Sequence, residues 1–503
     1  MKRVHDVATV RAAEEALMAR VGPDELMQRA AHGLATTCAQ LLADTGGVYG
    51  ARVVLLVGAG NNGGDALFAG ARLAARGAVV HAVTVADQHH AAGAAALRSK
   101  GGRLVPSDDP DCADLVAAAD LVVDGVLGIG GRGALRGAAA DLAEVATTSD
   151  ALMVAVDLPS GVDADTGDVA GAAVWADVTV TFGTLKPGLL VTPGALRADL
   201  VELVDIGLEP YLGEPSAQVM EPADVAQVAP APGPLDHKYT RGVAGLCAGS
   251  KRYVGAAVLC AAGALHAGAG LVRVSSPAAN QVVRAHPGCL VTTELPATAG
   301  RTDAWGGGPG LGLDDDAEDR LRDVLGLDVP VVVDADGLTL LARRLPDEPD
   351  LLRDRPAPTV LTPHLGEAAR LCPDVDVHGS PLEVAGALAQ RLGASVLLKG
   401  FTTVVASPEG RRWVNPTGTP WLATGGTGDV LTGILTALLA QHSTTGATPD
   451  EAAAAAAFLH GLAGRLAAAG APTTAAAVAE HVPAALRVVT DQRQPGRVGD
   501  FDA

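Results

Sequence analysis

The chain has 503 residues, 48% hydrophobic and only 19% charged, which excludes a disordered protein and supplies apolar material for more than one large core. A formal net charge of -20 excludes a broad basic face for nucleic acid or anionic lipid, so any bound phosphate must be held locally. Six scattered cysteines without a C-x-x-C pair fit reduced thiols, and the opening Met1-Lys2-Arg3-Val4-His5-Asp6 has no apolar signal core, so a cytoplasmic protein is expected.

Residues 1 to 45 alternate helical patterns around a Gly22-Pro23-Asp24 break that reads as an N-cap and first turn. Val53-Val54-Leu55-Leu56-Val57 is a continuous apolar run, the pattern of a strand covered on both faces in a parallel sheet. The glycine segment Gly58-Ala59-Gly60-Asn61-Asn62-Gly63-Gly64-Asp65 follows, then a helix ending at Gly77 and a strand over 79–85, which together make a βαβ unit. The alternation continues through a strand at 121–124, a helix near 136–147 and a strand at 152–156 that runs into Asp157-Leu158-Pro159-Ser160-Gly161. In such a sheet, ligands sit beyond the carboxyl ends of the strands. Those ends offer Asn62, Asp65, Asp124, Asp157 and Ser160, all oxygen donors suited to a hard cation and a polar ligand. The loop is not G-x-G-x-x-G and no acidic residue is placed for a ribose, which disfavours ordinary dinucleotide redox chemistry.

Gly60-Asn61-Asn62-Gly63-Gly64-Asp65, Asp124-Gly125-Val126-Leu127-Gly128-Ile129-Gly130 and Asp157-Leu158-Pro159-Ser160-Gly161-Val162-Asp163, in this order, resemble the NAD(P)H-hydrate epimerase, or YjeF N-terminal, domain. The resemblance implies a Rossmann-like three-layer αβα domain over 1–213. It implies potassium on Asn62, Asp124 and Ser160. It also implies that the hydrated nicotinamide nucleotide meets Asn61, Asn62, Gly63, Gly64, Asp65, the loop Gly128, Ile129, Gly130, Gly131, Arg132, Gly133 and Ala134, and Asp157. Asp157 is expected to act as acid or base, and Lys186 stands at a position the family often keeps basic. Ala66 stands where a glycine is usual, adding a methyl group at the helix start that is expected to narrow the pocket.

The stretch 209–236 carries six prolines, and a Pro-rich linker or strap is expected over 214–235. Strand candidates then recur at 243–247, 271–275, 331–333, 360–361 and 396–398, which make a second α/β domain over 236–495. The Ala- and Gly-rich run 254–272, broken by His266, reads as a buried helix and turn rather than a membrane span. Only six lysines occur against 31 arginines, and Lys186, Lys238, Lys251 and Lys399 fall beside glycine-rich or motif-like segments, which marks them as ligand contacts to test.

Near the end, Thr424-Gly425-Gly426-Thr427-Gly428-Asp429 runs into Val430, Leu431, Ile434, Leu435, Leu438 and Leu439 at helical spacing. A glycine loop at a helix N-terminus presents free N–H groups and the positive dipole end to an anion, although the same pattern also serves as a plain N-cap. Asp429 beside it is expected to take a proton from an attacking hydroxyl. With Gly306-Gly307-Gly308-Pro309-Gly310-Leu311-Gly312, Pro363-His364-Leu365-Gly366-Glu367 and Lys399-Gly400-Phe401-Thr402-Thr403, this segment resembles the ribokinase-like ADP/ATP-dependent NAD(P)H-hydrate dehydratase domain.

The resemblance implies hydrate contacts from Ala256, Gly310, His364 and Asp429. It implies contacts with ADP or ATP, carried with Mg2+, from Lys399, Gly400, Phe401, Thr402, Thr403 and Gly428. The whole chain is therefore expected to be a homo-oligomeric bifunctional enzyme that epimerises R and S hydrates and dehydrates the S form. Two alternatives stand beside it: a small-molecule hydroxyl kinase with a regulatory first domain, and a first domain that is a non-catalytic scaffold.

Overall fold

The computed structural model describes residues 1–491, so the last part of the expected second domain, 492–495, lies outside the described residues. The chain divides into two compact units, Arg3–Ala217 and Gln218 onward, the latter taking in Met1–Lys2. Among the described residues no helix is long and apolar enough to cross a membrane.

The first unit is built on a seven-stranded, all-parallel sheet. Its spatial order is Arg103–Pro106, Val79–Thr84, Arg52–Val57, Leu121–Gly125, Leu152–Val156, Val178–Phe182 and Leu200–Val204. Alternate residues of each central strand enter two apolar layers: Val53, Leu55 and Val57 face one set of helices, while Val54 and Leu56 face the other. Both faces are covered, which is why Val53–Val57 carries no polar residue. The chain reverses its direction across the sheet between Arg52–Val57 and Leu121–Gly125, the switch point at which doubly wound sheets bind ligands.

Asn61–Ala75 is a helix from its first asparagine, so Gly63, Gly64 and Asp65 form its opening turns and not a free loop. Ala66, expected to narrow the pocket, does not: it is fully buried and faces the strand, where a Cβ on Gly125 would stand 2.7 Å from its own. The small side chain is spent on helix–sheet packing.

In the second unit the parallel strands lie in the order Ser395–Leu398, Thr359–Leu361, Val331–Val333, Ala304–Gly307, Val243–Cys247, Leu271–Ser275 and Leu290–Thr292. An antiparallel hairpin, Thr403–Ala406 with Arg412–Asn415, extends the sheet beyond Ser395–Leu398. Here the switch point falls between Val243–Cys247 and Ala304–Gly307. The proline-rich stretch is no free linker within this unit. Gln218 pairs with Trp413, and the helix Pro222–Val228 buries Val225 and Val228 in the unit's core.

Two helices fix the position of the glycine loop. Val254–His266 and Thr427–Ala440 touch backbone to backbone, because a Cβ at Gly263 would collide with the carbonyl of Val430 and one at Gly433 with the carbonyl of Cys260. Gly306 is equally constrained, since a side chain there would strike Thr436.

Candidate functional sites

In the first unit, Asn62, Asp124 and Ser160 come together at the switch point. Asn62 Nδ2 donates to the carbonyls of Val156 (2.6 Å) and Leu127 (3.0 Å). Asp124 is completely buried. Its Oδ1 accepts from Ser160 Oγ (2.7 Å) and Val126 N (3.2 Å), and its Oδ2 from Ser160 N (2.8 Å). Burial raises its pKa to about 6 against the pull of the Ser160 and Val126 hydrogen bonds. Among the described residues no Lys or Arg pairs with it, so this buried carboxyl, with the Ser160 hydroxyl and two backbone carbonyls beside it, is an oxygen set lacking a positive charge. The donor chemistry fits a monovalent or other hard cation.

Asp157 follows directly on Leu152–Val156 with φ 66, a left-handed conformation that is costly for a residue with a side chain and is a mark of functional positions. Its Oδ1 accepts from Lys186 Nζ (2.6 Å), Thr181 Oγ1 (3.1 Å) and Phe182 N (3.4 Å). Lys186 is 1% exposed and spends its remaining protons on Thr181 Oγ1 and the Phe182 carbonyl, both at 2.9 Å. It therefore orients Asp157 and has no donor left for a ligand.

A cavity of about 150 Å3 opens onto Asn61, Asn62, Asp65, Ile129 and Asp157. Asp65 is 6% exposed, its Oδ1 has no hydrogen-bond partner, and burial, then the charges of Asp157 and Glu14, hold its pKa well above the usual carboxylate range. Of the expected loop 128–134, Ile129 lines this cavity. The same cavity receives Glu14 from the helix Val7–Val21, a residue that nothing in the sequence separates from its exposed neighbour Glu15.

In the second unit the expected His364 and Lys399, together with Asp334, again lie at strand carboxyl ends. Asp334 follows Val331–Val333, His364 follows Thr359–Leu361 and Lys399 follows Ser395–Leu398. Lys399 Nζ donates to Asp334 Oδ1 (2.7 Å) and lies 3.8 Å from Glu367 Oε2. Burial alone would lower its pKa, but Asp334 and Glu367 hold it above the normal value. Thr432, one turn beyond Asp429 on the same helix, donates to Asp334 Oδ2 (2.9 Å) and ties that helix to this centre. Gly426 takes the left-handed cap position with φ 93 and Thr427–Ala440 begins behind it. Burial, then the charge of Asp334, raises the Asp429 pKa to about 7, with Lys399 opposing and Asp336 adding to the shift.

A cavity of about 710 Å3 is lined by His364, Lys399, Gly400, Phe401, Thr403 and Gly428, six of the expected contacts. Thr402 is not among its lining residues; it is buried, 5% exposed. His364 also caps its helix, its Nδ1 accepting from Gly366 N (3.0 Å) and Glu367 N (3.3 Å). His460 was not foreseen. It reaches the same cavity from Pro449–Ala468, its Nε2 has no partner, and burial lowers its pKa to about 4, which keeps it neutral. Ala256 and Gly310 are neighbours across the switch point, where a Cβ on Gly310 would lie 2.7 Å from that of Ala256. Beside them a cavity of about 800 Å3 is lined by Ser250, Lys251, Arg252, Tyr253, Gly312, Arg320 and Asp336, among others.

Comparison with known proteins covers both units. A family model described as NAD(P)H-hydrate dehydratase matches residues 244–483, and one described as YjeF-related protein N-terminus matches residues 23–188. A bifunctional NAD(P)H-hydrate repair enzyme from Mycobacterium tuberculosis is 48% identical over 451 residues, covering 89% of this chain and 91% of its own. One of the same description from Mycobacterium leprae is 46% identical over 97% of this chain and 99% of its own. The chain belongs to the family of bifunctional NAD(P)H-hydrate repair enzymes. It is an α/β protein with a Rossmann-like first domain and a ribokinase-like second, as the three strand-end motifs and the closing glycine loop imply. Among solved structures, the ADP/ATP-dependent NAD(P)H-hydrate dehydratase from Bacillus subtilis, co-crystallised with ATP and Mg2+, is 29% identical, covers 54% of this chain and 99% of its own, and has a TM-score of 0.48.

Proposed function

We propose that this chain repairs hydrated NADH and NADPH, the second domain dehydrating the S hydrate at the expense of ADP or ATP and the first interconverting the R and S forms. The observation that carries the reading is Asp429. A carboxyl with a pKa near 7 stands at the N-terminus of Thr427–Ala440, within the electrostatic reach of Lys399 and Asp334.

The hydrate carries a hydroxyl on C6, next to the ring nitrogen, and hydroxide is a poor leaving group. Asp429 removes the hydroxyl proton, and the oxygen attacks the terminal phosphoryl group of the nucleotide, releasing AMP from ADP or ADP from ATP. The amides of Gly426 to Gly428 and Lys399 stabilise the charge on the transferring group. The lone pair of the ring nitrogen then expels phosphate, and loss of the C5 proton restores the ring double bond. Mg2+ carried by the nucleotide would screen its phosphates, and among the described residues no cluster of three carboxylates or histidines stands ready to hold the ion by itself. Gly400, Phe401, Thr403 and Gly428 line the nucleotide cavity, and His364, which lines it too, would meet the hydrate where the two ligands join. Ala256, Gly310 and the neighbouring cavity with Lys251 and Arg252 take the rest of the hydrate, two cations there suiting its phosphates.

In the first domain, Asn62, Asp124 and Ser160 would hold potassium, which supplies positive charge beside the ligand's phosphate or ribose. Asp157 acts on the ring as acid or base. The domain limits 1–213 and 236–495, with the strap 214–235 between them, remain part of this proposal. The test is to incubate the protein with mixed NADPH hydrates and ADP or ATP and follow the return of the reduced-ring absorbance. Full recovery from both epimers is expected, whereas accumulation of a stable phosphorylated product would identify a hydroxyl kinase instead.

A further inference from the structure

The first domain's cavity has two walls. One is made of strand ends and the helix they feed, and carries Asn61, Asn62, Asp65, Asp157 and Phe182. The other is made by the two N-terminal helices, Val7–Val21 and Pro23–Thr45, and is apolar (Met18, Leu26, Met27, Ala30) apart from one side chain, Glu14. Among the described residues Glu14 makes neither a hydrogen bond nor an ion pair, and it is only partly exposed. A carboxyl without a hydrogen-bond partner on an otherwise apolar wall costs stability, so its presence there points to a ligand. On the facing wall, Asp157 has one oxygen fully committed to Lys186, Thr181 and Phe182, which leaves Oδ2 as its free oxygen. Asp65 adds the buried Oδ1 that has no partner.

We propose that Glu14 is a second catalytic residue of the epimerisation, exchanging a proton with the hydrate ring from the wall opposite Asp157. This rests on the epimerase reading given above. Inversion at C6 needs one group that takes the hydroxyl proton and another that protonates the ring nitrogen. The O–H pair becomes the second bond of a C6 carbonyl as the C6–N1 bond breaks, and its electrons go to N1, which receives a proton. Rotation about C5–C6 turns the other carbonyl face to N1. The C6–N1 bond reforms, the carbonyl oxygen regains its proton and N1 returns the one it took, so no oxidant or co-reactant is consumed. Two carboxyls on opposite walls can serve this exchange in both directions. Burial, then the Asp157 charge, raises the pKa of Glu14, with Lys186 and Arg11 opposing. Asp65 feels both Glu14 and Asp157.

The experiment supplies pure R hydrate or pure S hydrate, each with ADP or ATP, to the full-length parent, Glu14→Gln and Glu14→Asp. Glu14→Gln is expected to convert R hydrate about 10²- to 10⁴-fold more slowly in kcat, with little change in KM, while S hydrate is repaired at the parent rate. Glu14→Asp should recover part of the loss, and the Gln variant should lose one limb of the pH–rate curve for R hydrate, with unfolding temperature unchanged or raised. A Gln variant that converts R hydrate at the parent rate overturns the role of Glu14. A parent that leaves R hydrate untouched overturns the epimerase reading itself. Hydrate labelled with heavy oxygen at C6 should keep its label in the S product, and full exchange with solvent would overturn the ring-opening step.

Discussion

Asp429 combines two consequences of burial that pull in opposite directions. As the proposed base, with a pKa near 7, it is matched to neutral chemistry, so replacement by Asn should lower dehydration about 10²- to 10⁴-fold while leaving nucleotide affinity intact, as measured by turnover of S hydrate beside a binding titration. In the parent, kcat/KM for S hydrate should fall as pH drops through about 7, because the carboxyl is then protonated. The same raised pKa means that the folded state holds this proton more tightly than the unfolded chain, whose aspartates titrate near 4. Stability is thus lost as pH rises from about 4 to about 7 and stays lost above it. Asp429→Asn should therefore unfold a few degrees higher than the parent at pH 8, with no difference below pH 4. Lys186 is the contrasting case, a cation that the fold needs. Lys186→Met leaves Asp157 buried without its partner and should cost about 3 to 5 kcal/mol, read as an earlier urea transition together with loss of R-hydrate conversion.

At the scale of elements, the helix behind the glycine loop is placed by another helix. Val254–His266 and Thr427–Ala440 approach so closely at Gly263 and Gly433 that an added methyl group meets a carbonyl. Gly433→Ala should cost about 1 to 3 kcal/mol by overpacking and should slow S-hydrate dehydration by tilting the helix that carries Gly428 and Asp429, while R-to-S conversion is untouched. This contact also shows what the sequence could reveal. Strands covered on both faces, such as Val53–Val57 and Val331–Val333, are legible as unbroken apolar runs, and the strand-end oxygens follow from them. Ala304–Gly307 is hidden because Gly306 answers to Thr436 on a helix distant in the sequence. Leu200–Val204 lies exposed at the sheet edge, where its apolar residues are not covered on both faces, and Pro222–Val228 is hidden by the prolines around it. Glu14 and His460 left no local signal, since both are defined by what lies across a cavity from them.

At the scale of the whole molecule, the two sites divide one task, and each can be disabled alone. Potassium, as proposed, would belong to the first site only, held by Asn62, Asp124 and Ser160, while the second site has Lys399 as its own cation. Replacing potassium by lithium in the buffer should slow R-hydrate conversion and spare S-hydrate dehydration at saturating nucleotide. The two reactions share a free intermediate, the S hydrate, if it leaves the first site into solution. A chain carrying Asp157→Ala should then repair only S hydrate, and a chain carrying Asp429→Asn should repair neither form yet still invert R to S. Mixed in equal amounts, the two variants should restore repair of R hydrate, after a lag that shortens as total protein is raised, because the intermediate must find a second molecule. Recovery without such a lag would mean that S hydrate passes between copies already bound to one another, and no recovery at all would mean that inversion and dehydration must occur on a single chain.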